Sequence, residues 1–439
     1  LEAPTRHPVP WQQEGFYDEE TLNAELERVF DICHGCRRCV SLCEAFPTLF
    51  ELIDESASFD LEGVETSDYR KVSEQCYLCD LCYQTKCPYV PPHEWQVDFP
   101  HLMLRAKAVR FQKERSRLAD RIITAPDKIG RLAARPVLAP LVNALLGNRL
   151  VRLLLEPLMG IHRKAHLLRY ASRPLDALLG RDGAKRPQAT TAKEAGPTRG
   201  KVALFGSCYG RWSRPEIGED LAAVMEHNGI PTRLLTTEFC CGMPKMELGD
   251  LDAVARLKSL NMPALREAVD EGWDILSTVP SCVLMLRQEL PLLFPEDEDV
   301  QEVARHVFDP FEYLHHRQRA GLLKTDFQQP IGKLAYQAAC HQRVQNIGSR
   351  TRDILSLASD TEVEVIERCS GHDGTYAVRR HTYEKSMKIL KPVAERVEKS
   401  DASTYTSDCP MAAAHIAHGL GQKEEPPHPL SLLRRAYNV

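Results

Sequence analysis

Eight cysteines in two strings constrain this 439-residue chain more than any other feature. Cys33, Cys36, Cys39 and Cys43 follow C-x2-C-x2-C-x3-C. Cys76, Cys79, Cys82 and Cys87 follow C-x2-C-x2-C-x4-C, with Pro88 next. Three thiolates spaced this closely can cap three irons of one cubane, and the fourth ligand must come from elsewhere. In two-cluster ferredoxins the fourth cysteine of each string serves the other cluster. The spacing therefore predicts one 4Fe–4S cluster on Cys33, Cys36, Cys39 and Cys87, and a second on Cys76, Cys79, Cys82 and Cys43. Structural zinc is the alternative. It needs only two C-x2-C pairs per site and leaves the regular third and fourth cysteines unused. No C-x-x-C is followed by His, so attached haem is excluded. The 32 residues between the strings carry helical patterning. A helical ferredoxin-like domain is expected over residues 1–115.

The chain has fifteen cysteines, and no apolar signal segment is visible in Leu1–Glu14. That favours a cytoplasmic, reducing compartment in which cysteines bind metal. The longest uncharged apolar run, 136–148, is too short for a membrane span and contains two prolines.

Charge is unevenly distributed. Residues 1–104 carry a net −13 and residues 105–173 a net +12. Residues 116–180 form a basic amphipathic helical segment that interleaves leucines with Arg131, Arg135, Arg149, Arg152, Arg163, Lys164 and Arg169. Asn148 and Pro157 are expected to break it into short helices. Such helices suit either the plane of an anionic membrane surface or a lid on the protein's own domains. Residues 181–200 lack apolar periodicity and are expected to be a linker, and residues 421–430 a polar, Pro-rich tail.

From Lys201 short apolar strands alternate with helical stretches, twice over. KVALFGSC ends in Cys208 and KLAYQAAC in Cys340. TRLLTTEFCCG brings Cys240 and Cys241, and EVEVIERCSG brings Cys369 and Ser370. DILSTVPSC ends in Cys282 and STYTSDC in Cys409. Each half delivers cysteines at the C-terminal ends of three strands, the edge at which open α/β sheets bind ligands. The expected fold is α+β and multidomain: the ferredoxin-like domain, the helical middle, and two Cys-Cys-Gly α/β repeats at 201–325 and 326–425, the second degenerate.

Two cysteine strings followed by two Cys-Cys-Gly halves resemble the heterodisulfide reductase-related iron–sulfur family. Within it the chain looks like the iron–sulfur subunits of anaerobic glycerol-3-phosphate dehydrogenase and glycolate oxidase, with RLLLEPLMGIHR in the usual place between the domains. The resemblance implies a possible non-cubane cluster on five cysteines per repeat. Here Met285 stands for the last cysteine of the first repeat, and Ser370 and Ala412 for two in the second. Cys208, Cys240, Cys241 and Cys282 could still hold an iron–sulfur cluster or zinc. Cys340, Cys369 and Cys409 would need help, for which His341, His372 and Ser370 are candidates, or would have lost the metal.

There is no G-x-G-x-x-G fingerprint and no phosphate-binding loop. No catalytic residue stands out, and nothing points to nucleic acid. The expectation is an electron-transfer subunit that takes electrons from a flavoprotein dehydrogenase towards quinone or another carrier. Its place would be the cytoplasm, peripheral at the inner membrane face. A catalytic reductase of a disulfide-like acceptor and a zinc-stabilised docking module are the alternatives.

Overall fold

The computed structural model describes residues 4–114, 118–180, 192–235 and 237–439. Its first part is helical. Helix α1 (Glu19–Cys36) starts at Asp18, whose side chain accepts the Thr21 N–H, and carries Glu19 and Glu20 in its first turn. Leu22, Leu26, Val29 and Phe30 recur at helical spacing and form its buried face. Helices α2 (Ala45–Asp54), α3 (Tyr69–Gln75), α4 (Leu81–Thr85) and α5 (Phe99–Lys113) complete this region. Its apolar side chains share one core with the first α/β repeat: Phe30, Phe46 and Met103 belong to the same buried cluster as Met246, Val254 and Leu286.

Two parallel sheets follow. β1 (Val202–Leu204), β2 (Thr232–Leu234), β3 (Asp274–Leu276) and β4 (Val307–Phe308) lie in the order β2-β1-β3-β4. β5 (Gly332–Gln337), β6 (Thr361–Ile366) and β7 (Thr404–Ser407) lie in the order β6-β5-β7. In both, the first strand is central, with the second on one flank and the third on the other. This common order is the architectural counterpart of the repeated strand-then-cysteine pattern. All ladders are parallel, so each cysteine emerges at the same edge of its sheet.

The middle segment forms α6 (Leu118–Ile123), α7 (Pro126–Ala133), α8 (Leu138–Gly147) and α9 (Arg149–Met159). Asn148 does end one helix and cap the next, its side chain accepting the N–H groups of Leu150 and Val151. Pro157 does not break the segment: it sits in the last turn of α9, which runs on to left-handed Gly160. Its missing N–H leaves one carbonyl, that of Leu153 a turn back, without its helical partner, and the helix ends two residues later. Arg152 departs from the basic surface expected of it. It is buried, and its guanidinium donates to the carbonyls of Arg163 (3.1 Å) and His162 (3.4 Å).

Of the 181–200 segment, residues 181–191 lie outside the described residues. Residues 192–200 pack, with Ala195 and Thr198 buried and bridged to each other. The Pro-rich stretch near the C-terminus leads into a helix, Pro429–Tyr437, that buries Leu430, Leu433 and Tyr437 in the core around Leu221 and Met225.

His428 anchors that helix. Its Nδ1 accepts the Leu430 N–H (3.2 Å) and its Nε2–H donates to the Asp408 carbonyl (3.1 Å). The ring is therefore neutral, and burial pushes its pKa down to about 3. The unfolded value is about 6.5, so this contribution to stability is complete above pH 6.5 and is lost as pH falls towards 3. Between pH 7 and pH 5 the loss is about 2 kcal/mol from this ring. Urea midpoints at the two pH values should therefore drop further in the parent protein than in His428→Gln, which does not titrate. Equal drops would mean that His428 is not the acid-sensitive group.

Candidate iron–sulfur centres and the cavity between the repeats

The last turn of α1 carries Cys33 and Cys36 on one face, and Arg37 in the left-handed region (φ 51°) turns the chain towards Cys39. In the second string Cys76 caps α3, and Leu78 and Asp80 both adopt left-handed φ near 60°. A non-glycine residue in that region costs roughly 1–2 kcal/mol, so the bend needs support. Arg6 supplies it. Its guanidinium grips Asp80 (2.6 and 3.0 Å) and Asp98 (2.9 and 3.1 Å), and reaches Glu289 (3.4 Å). His101 Nε2 meets Glu289 Oε2 at 3.2 Å. Burial and Arg6 both oppose an imidazolium at His101, but Asp98 and Glu289 outweigh them and raise its pKa to about 9. This buried network ties the N-terminal segment around Arg6, the second cysteine string, α5 and the first repeat together.

The eight thiols fall into two neighbourhoods that cross the sequence. Cys33 has Cys87, Cys39 and Cys36 as its electrostatic neighbours. Cys43 has Cys76, and Cys43, Cys76, Cys79 and Cys82 line one small pocket. Burial first, and neighbouring sulfurs next, push Cys39 up to about 12 and Cys82 well above the ordinary thiol value. Such thiols become thiolates when a cationic metal core takes the place of water. The donor set and its electrostatics therefore fit two metal–sulfur groups. Among the described residues, no three His, Cys, Asp or Glu side chains converge on the position of a single ion.

In the first repeat the thiols lie in a row, Cys208 beside Cys240, Cys240 beside Cys241 and Cys241 beside Cys282. Asn261 clamps the pair, accepting the Phe239 N–H (2.8 Å) and donating to the Cys240 carbonyl (3.0 Å). Gly242 follows at φ +103°, which a side chain rarely adopts. Met285, in the place of a fifth cysteine, is fully buried in the apolar core. In the second repeat Cys340 lies beside Cys369, and Cys409 stands at the N-terminal cap of the helix Pro410–Gly419. Gly371 sits at φ +73°, with a Ser386 carbonyl only 2.4 Å from where a Cβ would be.

Between the sheet edges lies a cavity of about 410 Å³. Cys208, Cys241, Cys282, Cys340, Cys369 and Cys409 all reach its wall. Its other walls are largely apolar and come from the middle helices, including Ile129, Val142, Leu146 and Leu155. Cys240 stands behind this wall, fully buried. Cys369 and Asp373 line both this cavity and the pocket of Cys43, Cys76, Cys79 and Cys82. His341 and His372 also line the cavity, each with a buried Nε2 that has no hydrogen-bond partner. Their places beside retained cysteines mark both in the sequence. Nothing in the sequence marks Glu247 and Asp373, which burial first of all raises to about 8 and about 7. Nor does it mark Lys107, whose ammonium donates to the Cys76 carbonyl and lies 4.6 Å from the Tyr77 ring centre.

Several known proteins are similar to this chain. The family described as a cysteine-rich domain, CCG, matches residues 202–287. One of the subunits of anaerobic glycerol-3-phosphate dehydrogenase from Escherichia coli (strain K12) is 26% identical over 338 residues, 76% of this chain and 81% of its own. One of the subunits of fumarate reductase (CoM/CoB) from Methanothermobacter marburgensis is 26% identical over 226 residues, 50% of this chain and 42% of its own. Lactate utilization protein A from Oceanobacillus iheyensis is 23% identical over 210 residues, 46% of this chain and 82% of its own. The Cys-Cys-Gly geometry of the first repeat thus falls where the chain is similar to the CCG cysteine-rich domain, and the chain as a whole is similar to subunits of dehydrogenase and reductase complexes.

Proposed function

We propose that this chain is the iron–sulfur electron-transfer subunit of a dehydrogenase complex, and that its electrons reach an acceptor in the cavity between the repeats. The observation that carries this is the shared wall: Cys369 and Asp373 border both the second N-terminal thiol group and the cavity. Bound 4Fe–4S clusters supply one-electron redox chemistry, held by Cys33, Cys36, Cys39 and Cys87 and by Cys76, Cys79, Cys82 and Cys43. Cys208, Cys240, Cys241 and Cys282 hold a further iron–sulfur cluster or zinc. Cys340, Cys369 and Cys409 form a weaker site. The division of the chain proposed here is the one expected from its sequence, 1–115, 116–180, 181–200, 201–325 and 326–425.

The chain's own residues prepare this path. Arg6 and His101, bound to Asp80, Asp98 and Glu289, hold the second cysteine string in place. The middle helices keep water off the cavity. The donor is a flavoprotein dehydrogenase subunit, because the chain shows no nucleotide or flavin fingerprint of its own. The acceptor is a quinone or similar lipophilic carrier, which the apolar walls suit.

Ten of the fifteen exposed large apolar side chains found among the described residues lie between Leu118 and Leu158. α8 turns Val142 and Leu146 to the cavity and Leu141 and Leu145 outward. A helix that is apolar on both faces is normally covered on both. Among the described residues, no single helix is long and apolar enough to cross a membrane. Leucines flanked in the chain by Arg149, Arg163 and Lys164 fit the headgroup boundary of an anionic bilayer, from which a lipophilic acceptor would enter.

An anaerobic oxidation test decides between the readings. The full chain is reduced with dithionite, freed of excess reductant and given menadione or a small disulfide. Reoxidation of the iron–sulfur absorbance by menadione, with quinol formed, is the expected result. Reduction of the disulfide instead would move the assignment to a catalytic reductase. Zinc in place of iron at all sites would make the repeats a docking module.

A further inference from the structure

Taking up two electrons turns a quinone into a quinol only if two protons arrive as well. The electrons come from the metal centres, one at a time, and the protons must come from solvent. The cavity walls are largely apolar, so the protons need a built path.

A row of histidines crosses the wall of the second repeat. His166 lies at the rim, its side chain 31% exposed and its Nε2 3.8 Å from Glu425. The His166 and His418 rings are 6.3 Å apart between centres, His418 and His415 6.2 Å, and His415 and His372 6.0 Å. His166, His415 and His372 line the cavity. These separations suit transfer ring to ring or through one water between neighbours. The rings are strung out and do not converge on one ion position.

The hydrogen bonds fix one ring's state. The Ser386 hydroxyl donates to the Gly371 carbonyl (2.7 Å), so at the 2.9 Å contact His415 Nε2–H is the donor to Ser386. The neutral ring therefore has Nδ1 free as an acceptor. His418 Nε2 meets the Tyr383 hydroxyl at 2.9 Å. Burial first, and neighbouring rings next, lower the pKa of His415 and His418. With Nε2–H held by Ser386, His415 takes a proton at Nδ1 and gives that same proton up again, as a transient imidazolium that burial makes quick to discharge.

We propose that His166, His418 and His415 form the proton-entry route from solvent to the acceptor cavity, a role that rests on the acceptor reading above. Each turnover takes two electrons from the reduced centres and two protons through this row. The quinone is reduced to quinol, and the centres are oxidised.

The test uses the full, iron-loaded chain reduced with dithionite and freed of excess reductant. Two acceptors are compared: menadione, which needs protons, and ferricyanide, which takes one electron and none. His418→Ala and His415→Ala are each expected to slow menadione reduction at least about tenfold, with the ferricyanide rate unchanged. Added imidazole should restore menadione reduction in His418→Ala. Unchanged menadione rates in both variants would overturn the route while leaving the acceptor reading in place. Equal losses with both acceptors would make the histidines structural and overturn it too. A parent chain that reduces ferricyanide but never menadione would overturn the acceptor reading and the route with it.

Discussion

Replacing Cys43 with serine is expected to abolish the cluster held by Cys76, Cys79 and Cys82 and to spare the one held by its neighbours in sequence. Cys87→Ser is expected to do the reverse. The reason is placement: the Cys43 thiol shares a pocket with Cys76, Cys79 and Cys82, and Cys87 is the first electrostatic neighbour of Cys33. A serine oxygen is a harder and poorer ligand for iron than a thiolate. Each variant should lose about four irons, since one cubane holds that many. Electron-paramagnetic spectra of the reduced proteins should each lose one of two cluster signals. The consequences for turnover differ as well. Cys43→Ser removes the centre beside Cys369 and should stop electrons reaching the cavity. Loss of the sequence-adjacent cluster in each variant would refute the crossed arrangement.

The second large effect concerns the outer face of α9. Leu150, Leu154 and Leu158 recur every fourth residue there and are 72%, 63% and 74% exposed. Burying one leucine is worth about 1.5–3 kcal/mol. Changing all three to glutamate should therefore weaken binding to phosphatidylglycerol vesicles by roughly three orders of magnitude or more on that scale. The parent protein should bind such vesicles at low ionic strength and release them steeply as salt rises, because the flanking arginines and Lys164 act over a Debye length. Iron content and melting temperature should stay the same in the triple variant, since none of these side chains supports the core. A parent protein that ignores anionic vesicles at low salt would assign this face to a protein partner.

The parts of this protein that the sequence determined are those whose physics is local. Spacing alone placed eight cysteines in two strings and set their expected crossing, because a cubane's reach dictates which thiolates can share it. Strand-length apolar runs ending in cysteine disclosed the duplication, and the sheets repeat the order in which the first strand is central. Met285, Ser370 and Ala412 were legible as departures only against the five-cysteine pattern of the family that the chain resembles.

Tertiary structure decided what depends on residues far apart in the chain. Nothing local marks Arg6, yet it holds Asp80, Asp98 and Glu289 in one buried network. Arg152 read as a surface charge, and only the fold of residues 162–165 over α9 made its guanidinium a clamp on backbone carbonyls. Pro157 read as a break, but α9 gives up one hydrogen bond, to the Leu153 carbonyl, and runs on for two more residues. His415 and His418 stand three apart on one helix, a faint local signal. Their alignment with His166 and His372 exists only because the middle helices and the second repeat pack around one cavity. Local spacing selects ligands, whereas burial, which sets the cost of every charge and the path of every proton, belongs to the folded chain.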